Sequence, residues 1–332
     1  MSAIYRSEAG AEEIRRRYRE ALDDWPVPAE QVRVPTRQGE TFVVVSGPQD
    51  APPVVLLHGA GANATMWRDD VTVWTRRFRT YAVDLIGEPG LSAPSRPPLD
   101  SDAHALWLDD VLDGLGITAA SIVGTSLGGW VALDYAVRRP RRVTRLALLC
   151  PGGLGRQKTG WMVRALPLRL FGRRGLRRSA RIATGLRSPQ ADPVLDSLML
   201  TFTEFEPRME RLPVFPDDAL RRLTVPVLVT VGGRDVMFDS AETARRVRRC
   251  VPHAVVNVLP EVGHAILGQA GSVSAFLSSG AARGGDAGPL RGETGGSPEA
   301  VPGDAGGALI EEDGGALTEA AGGALAREAD GA

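Results

Sequence analysis

The chain has 332 residues, with 39 Lys and Arg against 40 Asp and Glu and a formal net charge of −1. That length suits one large α/β domain with an insertion, or two domains, and so even a balance excludes a global field that would gather nucleic acid or hold a membrane surface. Cys150 and Cys250, the 2 cysteines, supply neither a disulfide framework nor metal-ligand spacing, and read as reduced core thiols.

Residues 11–25 form a charged helical stretch in which Glu12 and Arg16 are spaced as an i,i+4 pair. The stretch has no signal-peptide pattern, and no apolar run reaches the length of a bilayer span. A cytoplasmic protein without stable membrane insertion is the expectation. Residues 32–34 and 41–45 alternate as two antiparallel strands would. From Pro53 the texture changes, because Val54-Val55-Leu56-Leu57 is a continuous apolar run, the mark of a strand covered on both faces. Residues 80–85, 121–123, 145–149 and 227–231 repeat it, and 255–259 forms a further strand. Helical stretches fall between them, at about 66–78, 102–115, 127–139 and 240–250. Strand and helix alternate as a mostly parallel, doubly wound sheet with right-handed crossovers requires.

The alternation breaks once. After the sixth strand, about 152–222 holds no clear strand, only basic and aromatic helical pieces with Trp161, Phe171, Phe202 and Phe205. An insertion there is expected to form a helical cap at the carboxyl ends of the strands, where open α/β sheets place their ligands. Its aromatics suggest an apolar pocket, or plain core at helical spacing. Ten basic residues and no acid lie between Gly152 and Ala191, a pattern that fits either the solvated face of helices or a patch for an anionic partner. Residues 280–332 contain 15 glycines and ten acids against three arginines, and a Gly-Gly-Ala-Leu unit recurs at 306, 314 and 322. One leucine per repeat cannot offset the entropy of ordering, so this segment is expected to be a disordered acidic tail.

Gly124-Thr125-Ser126-Leu127-Gly128 follows the strand 121–123 and opens a helix, the pattern of a nucleophile elbow. A serine lifted clear of a sheet needs a strained backbone, with glycines two residues away on either side to admit the crossing strand and helix. Its hydroxyl reacts only if an oriented base takes the proton and a carboxylate stabilises the resulting cation. Of the 4 histidines, His264 sits in Pro260-Glu261-Val262-Gly263-His264, a loop after the last strand, on the edge of the sheet that carries Ser126. His104 is expected on a surface helix and His253 ahead of a strand, both facing solvent. Asp235 ends Val231-Gly232-Gly233-Arg234-Asp235 just after the strand 227–231, with Asp239 the fallback acid. His58-Gly59-Ala60-Gly61 closes the strand 54–57. In acyl transfer the Ala60 and Leu127 amides would hold the oxyanion, while His58 braces the loop. The plainer alternatives are a turn residue at Asp235 and a satisfied loop histidine at His264.

Together these motifs resemble the α/β-hydrolase fold family in its cap-bearing esterase and lipase-like branch, over about residues 30–279, with 1–29 a helical extension. The resemblance implies a Ser126–Asp235–His264 triad acting without cofactor or metal on a small to medium carboxylic ester. A thioesterase, lactonase, C–C hydrolase or non-hydrolytic pathway protein that keeps the triad is the alternative. Many relatives carry Asp-x-Arg-Gly-x-Gly-x-Ser after the next strand. Here the loop reads Asp84-Leu85-Ile86-Gly87-Glu88-Pro89-Gly90-Leu91-Ser92, one residue longer and without the arginine. Hydroxynitrile lyases of this fold rely on a lysine near the site, and Lys158, the sole lysine, starts the cap. A rival reading takes Gly59-Ala60-Gly61-Ala62-Asn63-Ala64 as a dinucleotide fingerprint with Asp84 as its ribose acid. It leaves the elbow, Asp235 and His264 unexplained. Oligomeric state is open.

Overall fold

The computed structural model describes residues 4–186 and 192–279; the expected acidic tail, 280–332, lies outside them. Eight strands form one sheet in the order β1-β2-β4-β3-β5-β6-β7-β8. They are β1 (Ala29–Thr36), β2 (Gly39–Ser46), β3 (Pro53–Leu57), β4 (Arg79–Val83), β5 (Ala120–Thr125), β6 (Val143–Leu149), β7 (Val227–Gly232) and β8 (Val255–Leu259). β2 runs antiparallel to β1 and β4, and the remaining neighbours are parallel. The helices are α1 (Glu8–Asp23), α2 (Arg68–Trp74), α3 (Ala103–Gly114), α4 (Leu127–Arg138), α5 (Gly160–Ala165), α6 (Gly172–Thr184), α7 (Asp192–Glu204), α8 (Asp217–Arg221), α9 (Ser240–Cys250) and α10 (Ala270–Ser278). Helices α5 to α8 lie between β6 and β7, where the cap is expected.

The apolar runs form strands because both faces of the sheet are covered. Period-two alternation divides each run: Val55 and Leu57 pack into one core with α3, α4 and α9, Val54 and Leu56 into a second with α1, α2 and α10. Buried tryptophans anchor both layers, and the indole N–H of each of three finds an acceptor: Trp107 on Thr41 Oγ1, Trp74 on the Ala270 carbonyl and Trp130 on the Pro213 carbonyl. Five consecutive parallel neighbours, β4 and β3 to β7, end on the same edge, joined there by β8. The loops after β3, β5, β7 and β8 therefore gather in one place.

Three features differ from the sequence reading. Helix α10 has no counterpart in it, since its small polar residues give little periodicity; Val273 and Leu277 nonetheless bury against α2. Strand β4 stops at Val83 rather than 85, as Asp84 and Leu85 turn to bond the neighbouring loop. In α1 the partner of Arg16 is not Glu12 but Glu13, at 2.8 Å, and Glu20, while Glu13 also binds Arg17. Cap aromatics behave unlike one another. Phe171 is 73% exposed, whereas Phe205 is buried against Ile4, Tyr5 and Ile14 at the N-terminus. Arg173, Arg174 and Arg178 are exposed, as on the solvated face of a helix.

Helix α1 is tied to the domain from two directions. Ser7 caps it by accepting the Gly10 N–H, and Tyr18 and Leu22 enter the core over Phe42. The Tyr18 hydroxyl donates to Asp84 Oδ1 at 2.8 Å, beneath the loop that follows β3. Burial pushes the Asp84 carboxyl up to about 6, against the opposing pull of the Leu91 and Ala64 amides and of Tyr18. A carboxyl whose folded pKa lies above its unfolded value leaves stability intact at low pH and erodes it as pH rises towards that folded pKa. Tyr18→Phe removes a donor that favours the ionised form. It should therefore cost about 1 kcal/mol or less near pH 4.5 and about 2 kcal/mol at pH 8, read by urea unfolding. A cost that is flat or falls with pH would contradict the assigned role.

Candidate active site

The turn from β5 into α4 carries Ser126 at φ 52 and ψ −108, a conformation that L-residues rarely adopt and that costs roughly 1–3 kcal/mol. Neighbouring glycines make it possible. A Cβ on Gly128 would lie 2.1 Å from the Leu57 carbonyl oxygen, and one on Gly124 would lie 2.5 Å from that of Gly128. The turn is fixed by backbone bonds: Ser126 N–H donates to the Leu149 carbonyl, and Gly152 N–H to that of Ser126. Cys150, at φ 39, lies under this turn, and burial pushes its thiol well up. Both cysteines are buried and free, as expected.

Two further loops meet the turn. After β7, Gly233 N–H donates to the Leu259 carbonyl and Arg234 N–H to that of Val262, while the Arg234 side chain pairs with Glu261. A Cβ on Gly232 would sit 2.1 Å from the Gly263 carbonyl oxygen, so here too only glycine permits the approach. His264 is thereby carried to Ser126. Its Nε2 lies 3.0 Å from Ser126 Oγ, and its Nδ1 lies 2.8 Å from Asp235 Oδ2. A carboxylate oxygen only accepts, so Nδ1–H donates and Nε2 is left to receive the serine proton. The Asp235 side chain is 1% exposed, and Oδ1 accepts the Met237 and Phe238 amides at 2.7 and 3.0 Å. The Phe238 ring lies against His264 with centroids 5.3 Å apart. Sequence reasoning did not single out Phe238.

Other candidates fall elsewhere. Asp239 caps α9 through the Glu242 amide at 3.0 Å, which, with Lys158 and Arg156 nearby, holds its carboxyl below the usual range. Lys158 Nζ donates to the Asp235 carbonyl at 3.1 Å, beside the acid rather than the serine. His253 is exposed as expected, but His104 is not: it is 7% exposed, packs edge-on against Trp130, and burial pushes it down to about 4. The chain around Arg208, distant in sequence, also influences it.

The loop after β3 lies next to the elbow, since a Cβ on Gly59 would be 3.6 Å from Ser126 Cβ. His58 is fully buried; its Nε2 accepts the Leu85 N–H at 2.9 Å, which leaves Nδ1–H to donate to the Gly59 carbonyl at 2.8 Å. Burial pushes it down to about 4, so it stays neutral and serves as a brace. Two acids, in turn, hold amides of the loop. Gly61 N–H donates to Glu88 Oε2 at 2.6 Å and Ala64 N–H to Asp84 Oδ1 at 2.8 Å. Asp84 Oδ2 takes the Leu91 amide, and the side chain is 0% exposed, so a ribose cannot reach it. A loop whose amides already face buried carboxylates is also a poor cradle for a pyrophosphate, which removes the dinucleotide reading.

Comparison with known proteins supports the same fold. The family model described as "Alpha/beta hydrolase family" matches residues 54–275. The uncharacterized carboxylesterase nap of Bacillus subtilis is 33% identical over 265 residues, 75% of this chain and 85% of that protein. Carboxylesterase CesB (YbfK) of Bacillus subtilis superposes with a TM-score of 0.72 at 30% identity, covering 82% of this chain and 99% of that one. Naproxen esterase from the same organism gives a TM-score of 0.69 at 29% identity, covering 82% and 97%. The chain belongs to the alpha/beta hydrolase family.

Proposed function

We propose that this protein is a serine hydrolase of carboxylic esters of small to medium size, working through an acyl-enzyme on Ser126. The observation that carries the reading is the unbroken hydrogen-bonded chain Ser126–His264–Asp235, at 3.0 and 2.8 Å. Similarity to Bacillus carboxylesterases over most of the chain supports ester chemistry.

The steps follow from the donors and acceptors. Ser126 Oγ attacks the ester carbonyl carbon as its proton passes to His264 Nε2. The carbonyl oxygen becomes an oxyanion between the Ala60 and Leu127 amides. Among the described residues, neither N–H has an acceptor within the protein. Leu127 also opens α4, whose N-terminal dipole favours negative charge. Two such donors matter because losing one typically costs about 3–4 kcal/mol of transition-state stabilisation. The tetrahedral centre collapses, the C–O bond to the leaving group breaks, and His264 returns the proton to the departing alcohol. Water then attacks the acyl-serine with its proton taken by His264, and the acid leaves as Ser126 is re-protonated. Asp235 holds the imidazole in one tautomer and stabilises the cation formed at each step. The cap borders the site: a Cβ on Gly61 would meet Thr201 Cγ2 of α7 at 3.6 Å, and Gly185 at the end of α6 packs on Gly263. The acyl or alcohol part would lie between these walls.

Turnover of a short-chain p-nitrophenyl ester should fall by at least about 10⁴-fold in Ser126→Ala and by about 10³–10⁴-fold in Asp235→Asn, with both proteins folded. Wild-type rates in Ser126→Ala would end the esterase reading. A fluorophosphonate probe should label the wild-type protein at Ser126 and leave the Ala variant unlabelled. A folded wild-type protein that resists the probe would point to a non-hydrolytic role.

A further inference from the structure

The loop Asp84–Ser92, where the chain departs from the family pattern, is stitched to the loop that follows β3. Leu85 N–H donates to His58 Nε2, Gly61 N–H to Glu88 Oε2, Ala64 N–H to Asp84 Oδ1, and Asn63 Nδ2 to the Pro89 carbonyl. The loop turns at Gly87, φ 73, and passes close to Asp84 at Gly90, whose Cβ would lie 2.4 Å from Asp84 Oδ2. Glu88 occupies the apex of this loop and is 3% exposed. It is an acid buried beside a proposed oxyanion site, where an unscreened negative charge would oppose the reaction, so its presence needs a reason.

The bond it makes supplies one. Gly61 adopts φ 71, and its N–H, only one residue beyond Ala60, is taken by Glu88 at 2.6 Å. The peptide orientations of consecutive residues are coupled, so fixing the Gly61 N–H limits how far the Ala60 N–H can swing. We propose that Glu88 is a positioning residue for ester hydrolysis, holding the Gly61 amide so that the preceding Ala60 amide stays aimed at the carbonyl oxygen bound at Ser126. The inference rests on the esterase reading.

The charges facing Glu88 fit that role. Arg96 and Arg208 lie close enough to favour its ionised form, and the Tyr5 phenol is near enough to feel its charge. Burial outweighs these and pushes the carboxyl up to about 7. Both protonation states retain an acceptor oxygen for Gly61, so reach matters more than charge. An amide of the same length can replace the group; a shorter carboxylate cannot.

Glu88→Gln and Glu88→Asp separate these properties: the first keeps the reach to Gly61 without the charge, the second keeps the charge without the reach. With p-nitrophenyl butyrate, Glu88→Gln should keep kcat within about 3-fold of wild type. Glu88→Asp should lose roughly 10–100-fold in kcat with KM within about 2-fold, a fraction of what a lost oxyanion donor costs. A trifluoromethyl ketone, which forms a tetrahedral oxyanion adduct on the serine, should lose affinity by the same factor in Glu88→Asp and hardly at all in Glu88→Gln. Equal kcat in all three proteins, a loss confined to KM, or a Gln variant more impaired than Asp would overturn the proposal while leaving the esterase reading intact. A wild-type protein with no turnover, by contrast, would end both.

Discussion

Everything at the carboxyl edge of the sheet depends on backbones approaching more closely than a Cβ allows. Gly128 against the Leu57 carbonyl, Gly232 against that of Gly263, and Gly263 against Gly185 are three such approaches. Each removes the space a side chain would need and converts it into position. The first lets Ser126 stand at φ 52, the second brings the loop of Asp235 against that of His264, and the third joins the histidine loop to the end of α6. The strain at Ser126 persists because the surrounding strand, helix and carbonyl contacts over-determine it.

Four acids near that edge, three buried and one partly exposed, are treated differently by their surroundings. Asp235 is satisfied on both oxygens, by His264 and by two amides. Asp239, at a helix N-terminus, is held low by the amide it caps. Asp84 and Glu88 lie deeper and are pushed upward by burial, yet each accepts amides from the loop that contains Ala60. One pair of acids thus belongs to the β7–α9 side and the other to the β3 side, and the elbow lies between them. A buried acid costs stability, and the retained hydrogen bonds make these two structural braces rather than ligands for cations.

Much of the fold is legible in the sequence because two-sided burial leaves a strong signal. Runs such as Val54 to Leu57 are apolar at every position, so their strands stand out from the half-polar helices between them. The site residues carry local motifs, glycines above all, whose reason is the close approach just described. What the sequence does not disclose is non-local. His104 has the look of a surface histidine, yet it is 7% exposed and packed against Trp130. Phe171 has the look of a pocket aromatic, yet the helices of the cap turn it to solvent. Glu88 sits in a loop whose departure from the family pattern says nothing of its burial or of its bond to Gly61; only the structure shows both.

The central claim is that Ser126, activated by His264, forms a covalent bond to the substrate's acyl group. Mixing the protein with a p-nitrophenyl ester, quenching with acid within the first turnovers and mapping the digest by mass spectrometry tests it most directly. The account predicts that the peptide containing Ser126 gains the mass of the acyl group less one hydrogen, and that the increment disappears as the ester is exhausted. An ester that is hydrolysed while the acyl mass settles on another residue, or on none, under conditions that trap acyl-serines, would contradict it.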